Sequence, residues 1–165
     1  GAMDVLVIKI DGVEGEATLE GFEKQIMCLA FSHSVHNHLH TDVSNVGRAR
    51  GRVEHSDFTI TKYADKASPL LNYKCCIGAN LGQVTFTVLR ASGEKAHVPQ
   101  MIYTLENTMV SNVSIGGGGD DTPVETVSLN YTKIKWEVKV QSQDMKEPGS
   151  IASEWDVTIN KGADA

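Results

Sequence analysis

Histidines recur at alternate positions in one polar stretch of the chain. His36, His38 and His40 are separated by single residues, so in an extended segment their imidazoles would share one face. Imidazole nitrogen is a common ligand of zinc, nickel and copper, which makes this spacing a candidate metal site. Only Asp42 lies nearby to complete the ligand set. The alternative is a polar loop with solvated histidines, and the pattern leaves both interpretations open.

Arginines alternate a few residues further on, at Arg48, Arg50 and Arg52. Their guanidinium groups could bind phosphate or carboxylate in bidentate fashion. A formal net charge of -6 and the absence of interleaved aromatic residues disfavour nucleic acid as the partner. The remaining interpretations are pairing with an acidic edge of another copy, or an ordinary solvated loop.

Two short runs contain the residue types of nucleophilic catalysis. They are Ser32-His33 and His55-Ser56-Asp57. Adjacent residues of a strand point to opposite faces, so neither run places a nucleophile beside its base. The sequence therefore predicts no enzyme and no cofactor.

A run of four glycines at residues 116–119 resembles a phosphate cradle only superficially. It lacks the Lys-Ser/Thr ending of a P-loop. Asp120 and Asp121 follow it, and their charges would repel phosphate. The run is typical of a hairpin loop.

Length and composition indicate one globular domain. With 165 residues, 41% of them hydrophobic, the chain can bury roughly 70% of its unfolded surface. It contains no apolar run near the roughly 20 residues of a membrane span and no cleavable secretory signal. We interpret residues 1–3 as an expression-tag remnant, residues 4–161 as the domain and residues 162–165 as a flexible tail. The cysteines, Cys28, Cys75 and Cys76, predict reduced thiols and no disulfide framework.

The elements that must position these residues are mostly strands. The one predicted helix covers residues 68–77, with Ser68 as its N-cap, Pro69 in its first turn and Gly78 just past its end. The apolar residues that share one stripe of this helix, expected to face the core, are Leu70, Tyr73 and Ile77. The fold class is mainly β: a compact β-barrel of two packed antiparallel sheets with one flanking α-helix.

Two strands carry further expectations. In the second strand the larger side chains, expected to face the core, are Met27, Leu29 and Phe31. The smaller ones, expected to line a surface or a lumen, are Cys28, Ala30 and Ser32. Alternation changes phase within residues 124–140, which predicts a bulge or bend near Thr132-Lys133 and one strand shared by two sheets.

Three other segments complete the prediction. A connection or bulge is expected at Glu106-Asn107. Residues 35–53 fit neither period and are interpreted as a long extended loop. Residues 152–160, in which Trp155, Val157 and Ile159 alternate, are the expected last strand.

The run H-S-D-F-T-I-T-K-Y-A-D-K-A-S-P-L-L at residues 55–71 resembles the signature of the haemolysin-coregulated protein family, the tube protein of type VI secretion. Further matches recur in the same order: Ile8-Lys9-Ile10, Leu29-Ala30-Phe31-Ser32-His33, Tyr103-Thr104-Leu105, residues 110–114 and residues 125–131. Together they cover residues 4–140.

The resemblance implies homohexameric rings that stack into a hollow tube and act as carrier or chaperone for effectors in the lumen. It implies as partners further copies of the chain, a spike protein of the valine-glycine-repeat family, the contractile sheath, the baseplate and effector cargo. Neither nucleic acid nor membrane insertion is implied. The protein would be held in the bacterial cytoplasm and then secreted.

The resemblance also assigns residues. Ser32 matches a serine that points into the tube lumen, on the face predicted to include Cys28 and Ala30. The loop at residues 35–53, with its histidines and arginines, matches the loop that reaches a neighbouring ring. The alternative function is a monomeric metal- or small-ligand-binding β-barrel that uses His36, His38 and His40.

Overall fold

The computed structural model describes residues 4–41, 48–49, 53–92, 96–140 and 149–164. The helix of these residues is α1 (Ser68–Ile77). The strands are β1 (Val5–Ile10), β2 (Ile26–Cys28), β3 (Ala30–Ser32), β4 (Val35–Asn37), β5 (His40–Thr41), β6 (Arg48–Ala49), β7 (Val53–His55), β8 (Phe58–Tyr63), β9 (Gly82–Ser92), β10 (Ala96–Gly116), β11 (Val124–Asn130), β12 (Lys133–Val140), β13 (Gly149–Asp156) and β14 (Lys161–Asp164).

Two antiparallel sheets share the long strand β10. The first sheet has the order β14-β13-β12-β10-β9-β1-β2, and the second has the order β10-β11-β8-β3. β10 leaves the first sheet and enters the second near Asn107, which has a φ of 51°. The register of its pairing with β9 shifts from Leu105 to Thr108 at this point. The predicted bulge at Glu106-Asn107 is confirmed, although it lies inside one continuous strand.

A second corner lies between β11 and β12. β11 pairs with β8 in the second sheet, whereas β12 pairs with β13 in the first. The break falls at Tyr131 and Thr132, which confirms the bend predicted from the change of phase. Thr132 N donates a hydrogen bond of 3.0 Å to Glu106 O, so the two corners support each other.

The third passage between sheets is a bend at Leu29. β2 pairs with β1, β3 pairs with β8, and Leu29 N donates to Thr61 O at 2.6 Å. At this point the two sheets of the barrel are joined by a bend of the chain and not by an unbroken ladder of strand hydrogen bonds.

Buried apolar side chains from both sheets form the core. Its largest fully buried members are Ile8, Ile26, Phe58, Ile60, Leu71, Phe86, Leu105, Leu129 and Ile134. A smaller cluster on the other face of the first sheet joins Val7 and Leu89 to Ala17 of the loop that follows β1. β1 is covered on both faces as a result, which explains its nearly continuous run of apolar residues.

The helix docks through a different stripe from the one predicted. Leu71 and Ala67 are buried, whereas Tyr73 and Ile77 are more than half exposed. The prediction of Leu70, Tyr73 and Ile77 as the core stripe is therefore wrong for its last two members. Because Ala67 and Leu71 are four residues apart, they still define one face of the helix. The helix is too short to span a bilayer, and it ends as predicted, with Gly78 at a φ of 61°.

The C-terminal segment also differs from the prediction. β13 ends at Asp156, whose Oδ1 accepts hydrogen bonds from the backbone N of Thr158 at 2.9 Å and of Ile159 at 3.3 Å. Asn160 then adopts a left-handed φ of 55°, which asparagine tolerates better than most residues. This tight turn allows β14 to pair with β13, so residues 161–164 form a strand where a frayed tail was expected.

Candidate functional site

The family-like segment at residues 55–71 builds a buried cluster of charges. Lys62 lies on β8 directly opposite Glu125 on β11, and both side chains face the core. Lys62 Nζ donates to Glu125 Oε1 at 2.7 Å and lies 2.9 Å from Asp65 Oδ1. A fully buried ammonium group is stable only when such partners compensate it.

The turn before α1 brings Asp65 to this lysine, and the first residue of α1 brings Ser68. Asp65 Oδ1 accepts a hydrogen bond from Ala67 N at 2.9 Å, and Ser68 Oγ accepts one from Asp65 N at 2.9 Å. Ser68 Oγ also donates to Glu125 Oε1. The structural N-cap is Ala67, which makes no side-chain cap bond, so the prediction of Ser68 as N-cap is wrong by one residue. The cluster fastens the start of α1 to both strands.

Cys28 belongs to the same interior. It is 9% exposed and packs in the main core. Burial raises the pKa of its thiol to about 12; the carboxylate of Asp65 adds to this rise and Lys62 opposes it. The expectation that Cys28 lines a surface or lumen together with Ala30 and Ser32 is therefore wrong.

The bend at Leu29 is the reason. Before the bend Ile26 and Cys28 point inward, and after it Phe31 points inward while Ala30 and Ser32 are exposed. Leu29 shifts the alternation by one residue, which exchanges the two faces. Met27 and Leu29, expected in the core, are exposed.

Ala30 and Ser32 lie on a face of the second sheet that is rich in hydroxyl groups. The strand register aligns Ser32 with Thr59 and Ser128, and Ala30 with Thr61 and Thr126. We call this face the hydroxyl wall; its members are Ala30, Ser32, Thr59, Thr61, Asn112, Ser114, Thr126 and Ser128. All are exposed or half-buried, and Thr59 Oγ1 lies 3.1 Å from Ser128 Oγ.

The sequence contained the signal for this wall. Ser, Thr and Asn alternate with buried apolar residues in β8, β11 and the end of β10. Only the pairing of the strands shows that these separate stripes adjoin.

Residues 35–55 include two short antiparallel ribbons where a loop was predicted. β4 pairs with β7, and β5 pairs with β6. We call these ribbons the arm. The β4 side chains are all exposed and those of β7 are at most half-buried, so no core face imposes the apolar alternation by which strands are recognised in a sequence.

The arm contains the histidines of the candidate metal site. The rings of His36 and His38 lie 4.4 Å apart, and His38 Nε2 lies 3.1 Å from Glu54 Oε2. His40 is in β5 and Arg48 in β6, but their side chains lie outside the described part of the chain, as do Arg50 and Arg52 entirely. Among the described residues, no group of three or more His, Cys, Asp or Glu side chains is placed to hold a metal ion.

Two histidines and a tyrosine form the base of the arm. His33 Nε2 and Tyr131 Oη are hydrogen-bonded at 2.5 Å, and Tyr131 Oη donates to Ser56 O at 2.9 Å. The ring of His55 lies 6.2 Å from that of His33. Desolvation lowers the pKa of His33 to about 4, with a further contribution from His55, and it lowers the pKa of His55 as well. Both rings are therefore neutral near pH 7.

The hydrogen bonds of Ser56 and Asp57 show whether these residues could act in nucleophilic catalysis. Ser56 Oγ accepts a hydrogen bond from Ser34 N at 2.9 Å and donates to Asp57 O at 3.0 Å. Asp57 accepts instead from Ser111 Oγ at 2.6 Å and Asn130 Nδ2 at 3.1 Å. Within the described residues neither Ser32 nor Ser56 hydrogen-bonds a histidine. The arrangement holds the arm and does not resemble a catalytic triad.

The chain is similar in sequence and in fold to a family of known proteins. A family model described as "Type VI secretion system effector, Hcp" matches residues 7–138. "Protein hcp1" of Pseudomonas aeruginosa is 33% identical over 157 residues, which cover 94% of this chain and 96% of that protein.

Two further relatives agree with these matches. The "Major exported protein" of the same organism is 30% identical over 145 residues, covering 81% of this chain and 83% of the relative. A solved structure described as "Structure of a type six secretion system protein" superposes with a TM-score of 0.87 at 29% identity. It covers 97% of this chain and 99% of that one.

Proposed function

The chain belongs to the Hcp family of type VI secretion system effectors, and we propose that it forms hexameric rings that stack into the secretion tube. A tube subunit requires a rigid wall and surfaces that contact further copies. A β-barrel braced at its corners and pinned by a buried charge cluster meets the first requirement. A head-to-tail contact that closes on itself gives a ring.

The hydroxyl wall is the observation on which the lumen assignment rests. We assign this wall, with Ser32 and Ala30, to the inner surface of the tube. Its side chains are small and uncharged, so a passing protein meets many weak hydrogen-bond donors and acceptors and no fixed charge. Such a surface holds cargo through numerous weak contacts and releases it without breaking a strong ion pair.

The arm is the element assigned to the contact between rings. It carries His36, His38 and Arg48, together with Arg50 and Arg52 of the sequence. The chain as a whole is acidic, so a basic arm would be attracted to the surface of another copy. The exposed carboxylates of the loop after β1, at Asp11, Glu14 and Glu20, supply one acidic edge of this kind.

The remaining assignments follow from membership of the family. We propose that the tube takes effector cargo in its lumen and carries the spike protein of the valine-glycine-repeat family at its tip. The contractile sheath and the baseplate would surround it, and the protein would leave the bacterial cytoplasm already folded. The description of one relative as a major exported protein supports export. None of these steps requires chemistry on a substrate.

The test of the proposal is the mass of the assembled protein. Light scattering coupled to gel filtration is expected to give six times the chain mass of 17.9 kDa, a stoichiometry taken from the proposal. Electron microscopy of the same fraction is expected to show rings with a central channel. A protein that remains a monomer at all concentrations would refute it.

A further inference from the structure

A cleft lies between the base of the arm and the first sheet. Its cavity of about 360 Å³ is bounded by Val35, Asn37 and Val53 of the arm and by Trp136 and Trp155 of the sheet, with His55 between them. We call it the tryptophan cleft. Both indole rings lie nearly parallel to the imidazole of His55, with ring centroids 6.1 and 6.2 Å away. Apart from Asn37 and His55, the lining side chains are apolar.

The apolar surface continues beyond the cleft. Val138 follows Trp136 by two residues on β12 and therefore points to the same face. Ile151 on β13 is the cross-strand partner of Val138. Ile151 is 66% exposed, and Val138 and Val140 are exposed beside it. Toward the other side, Met101 pairs with Val138 and packs against the main core.

This surface is the core-facing side of the first sheet where the sheet extends past the core. Ile134 of β12 is completely buried in the main core, whereas Val138 and Val140 later in the same strand are exposed. Ser153, the cross-strand partner of Trp136, is a polar residue within this otherwise apolar part of β13. A largely apolar face of this kind on a folded protein indicates a binding surface.

The size and chemistry of the surface favour a protein segment as its occupant. It extends across three strands from Met101 to Ile151, which is longer than the cavity alone. His55 Nε2 is buried and has no hydrogen-bond partner among the described residues, and the groups of a polypeptide include both donors and acceptors that could satisfy it. One wall of the cleft is the arm, to which the contact between copies has already been assigned.

We propose that a second copy of this chain packs into the tryptophan cleft and over Val138 and Ile151. The inference rests on the proposed function, because the occupant is the neighbouring subunit of the ring or tube. It identifies an apolar contact surface beside the arm, whereas the arm itself was assigned on its charge.

Intrinsic fluorescence tests the occupancy directly. The chain has two tryptophans, and both line the cleft. In the assembly both indoles are expected to be shielded from acrylamide and to emit at shorter wavelength. On dilution to the monomer, quenching is expected to increase and the emission to shift to longer wavelength. The midpoint of this change should coincide with the midpoint of the loss of mass in light scattering.

A pair of variants tests the surface beside the cleft. Ile151→Glu is expected to weaken association by roughly tenfold or more, because it replaces apolar burial with the burial of a charge. Ile151→Ala should weaken it in the same direction and by less. The matched control is Ile115→Glu, since Ile115 is 60% exposed at the opposite end of β10 and its replacement should leave association unchanged. Circular dichroism and thermal unfolding of the monomers check that each variant is folded.

The outcomes separate this inference from the proposed function. If rings form but the tryptophans in them remain as accessible as in the monomer, the cleft is not a contact and the inference is wrong while the tube function stands. Equal weakening by Ile115→Glu and Ile151→Glu would also overturn it. A folded chain that never associates would overturn both.

Discussion

Lys62 Nζ lies 2.7 Å from Glu125 Oε1, and the two fully buried side chains are direct cross-strand partners. Asp65 in the turn before α1 and Ser68 at the first position of α1 complete the cluster. The segment that most resembles the family signature therefore encodes an internal fastening. Lys62, Asp65 and Ser68 of this segment are directed at one another and at Glu125, across β8, β11 and the start of the helix.

The first prediction concerns this fastening. Lys62→Met leaves the carboxylates of Glu125 and Asp65 buried without their cation, so we expect a loss of about 3–5 kcal/mol in the free energy of unfolding. Urea denaturation of the variant measures it. The control is Lys66→Met, which removes an exposed ion pair with Glu14 at 3.5 Å and should cost at most about 1 kcal/mol. Similar losses in the two variants would mean that the buried cluster is not the main support of the helix.

The second prediction concerns the thiols. Cys28 is buried and burial raises the pKa of its thiol to about 12, so it contains almost no thiolate at pH 8. Cys76 is exposed. We expect a disulfide reagent to label Cys76 rapidly in the native protein and Cys28 only after unfolding. Cys76→Ser should abolish the rapid phase, whereas Cys28→Ala should leave it intact; rapid labelling of Cys28 would contradict its place in the core.

The sequence predicts the architecture because the alternation of apolar and polar residues, and the turn and cap residues that interrupt it, are local signals. Two corners of the fold can be recognised without knowing which strand pairs with which, from the change of alternation near Thr132 and from the polar pair Glu106-Asn107. The helix can be recognised in the same way from the run between Ser68 and Gly78. The two sheets and the flanking helix follow from these marks.

What the sequence does not predict depends on single residues or on partners distant in the chain. The bend at Leu29 places Cys28 in the core, and the sequence contains no typical turn residue at Leu29 that would predict this bend. Tyr73 and Ile77 fit an apolar stripe, yet the helix buries Leu71 and leaves both of them exposed. β14 forms because of the turn at Asp156 and Asn160, although its own residues contain no strand formers.

The third prediction concerns the base of the arm and pH. His33 and His55 have pKa values lowered by burial, so the unfolded chain binds protons more readily than the folded one. The stability that they contribute is present above their unfolded pKa of about 6.5. It is lost as the pH falls toward the folded pKa of His33, about 4.

Denaturant midpoints measured between pH 7 and pH 4 are expected to fall for the wild type. In His33→Phe the decline should be shallower, because the apolar ring keeps the contacts with Phe58 and Tyr103 but takes up no proton. His36→Phe, an exposed position on the arm, should keep the wild-type slope. An unchanged slope in His33→Phe would show that other groups control the acid response.

The last prediction concerns the hydroxyl wall. Ser32 is exposed at the edge of that wall, beside Thr59, so Ser32→Gln adds bulk to the proposed lumen without disturbing the core. We expect the ring to form with unchanged mass and thermal stability, and to retain less cargo when both are purified together. Thr18→Gln places the same side chain at an exposed position of the loop after β1 and should retain cargo as the wild type does. If Ser32→Gln rings retain cargo fully, or if Thr18→Gln lowers retention equally, the wall does not face the channel, because a surface that contacts cargo must respond to added bulk more strongly than one that does not.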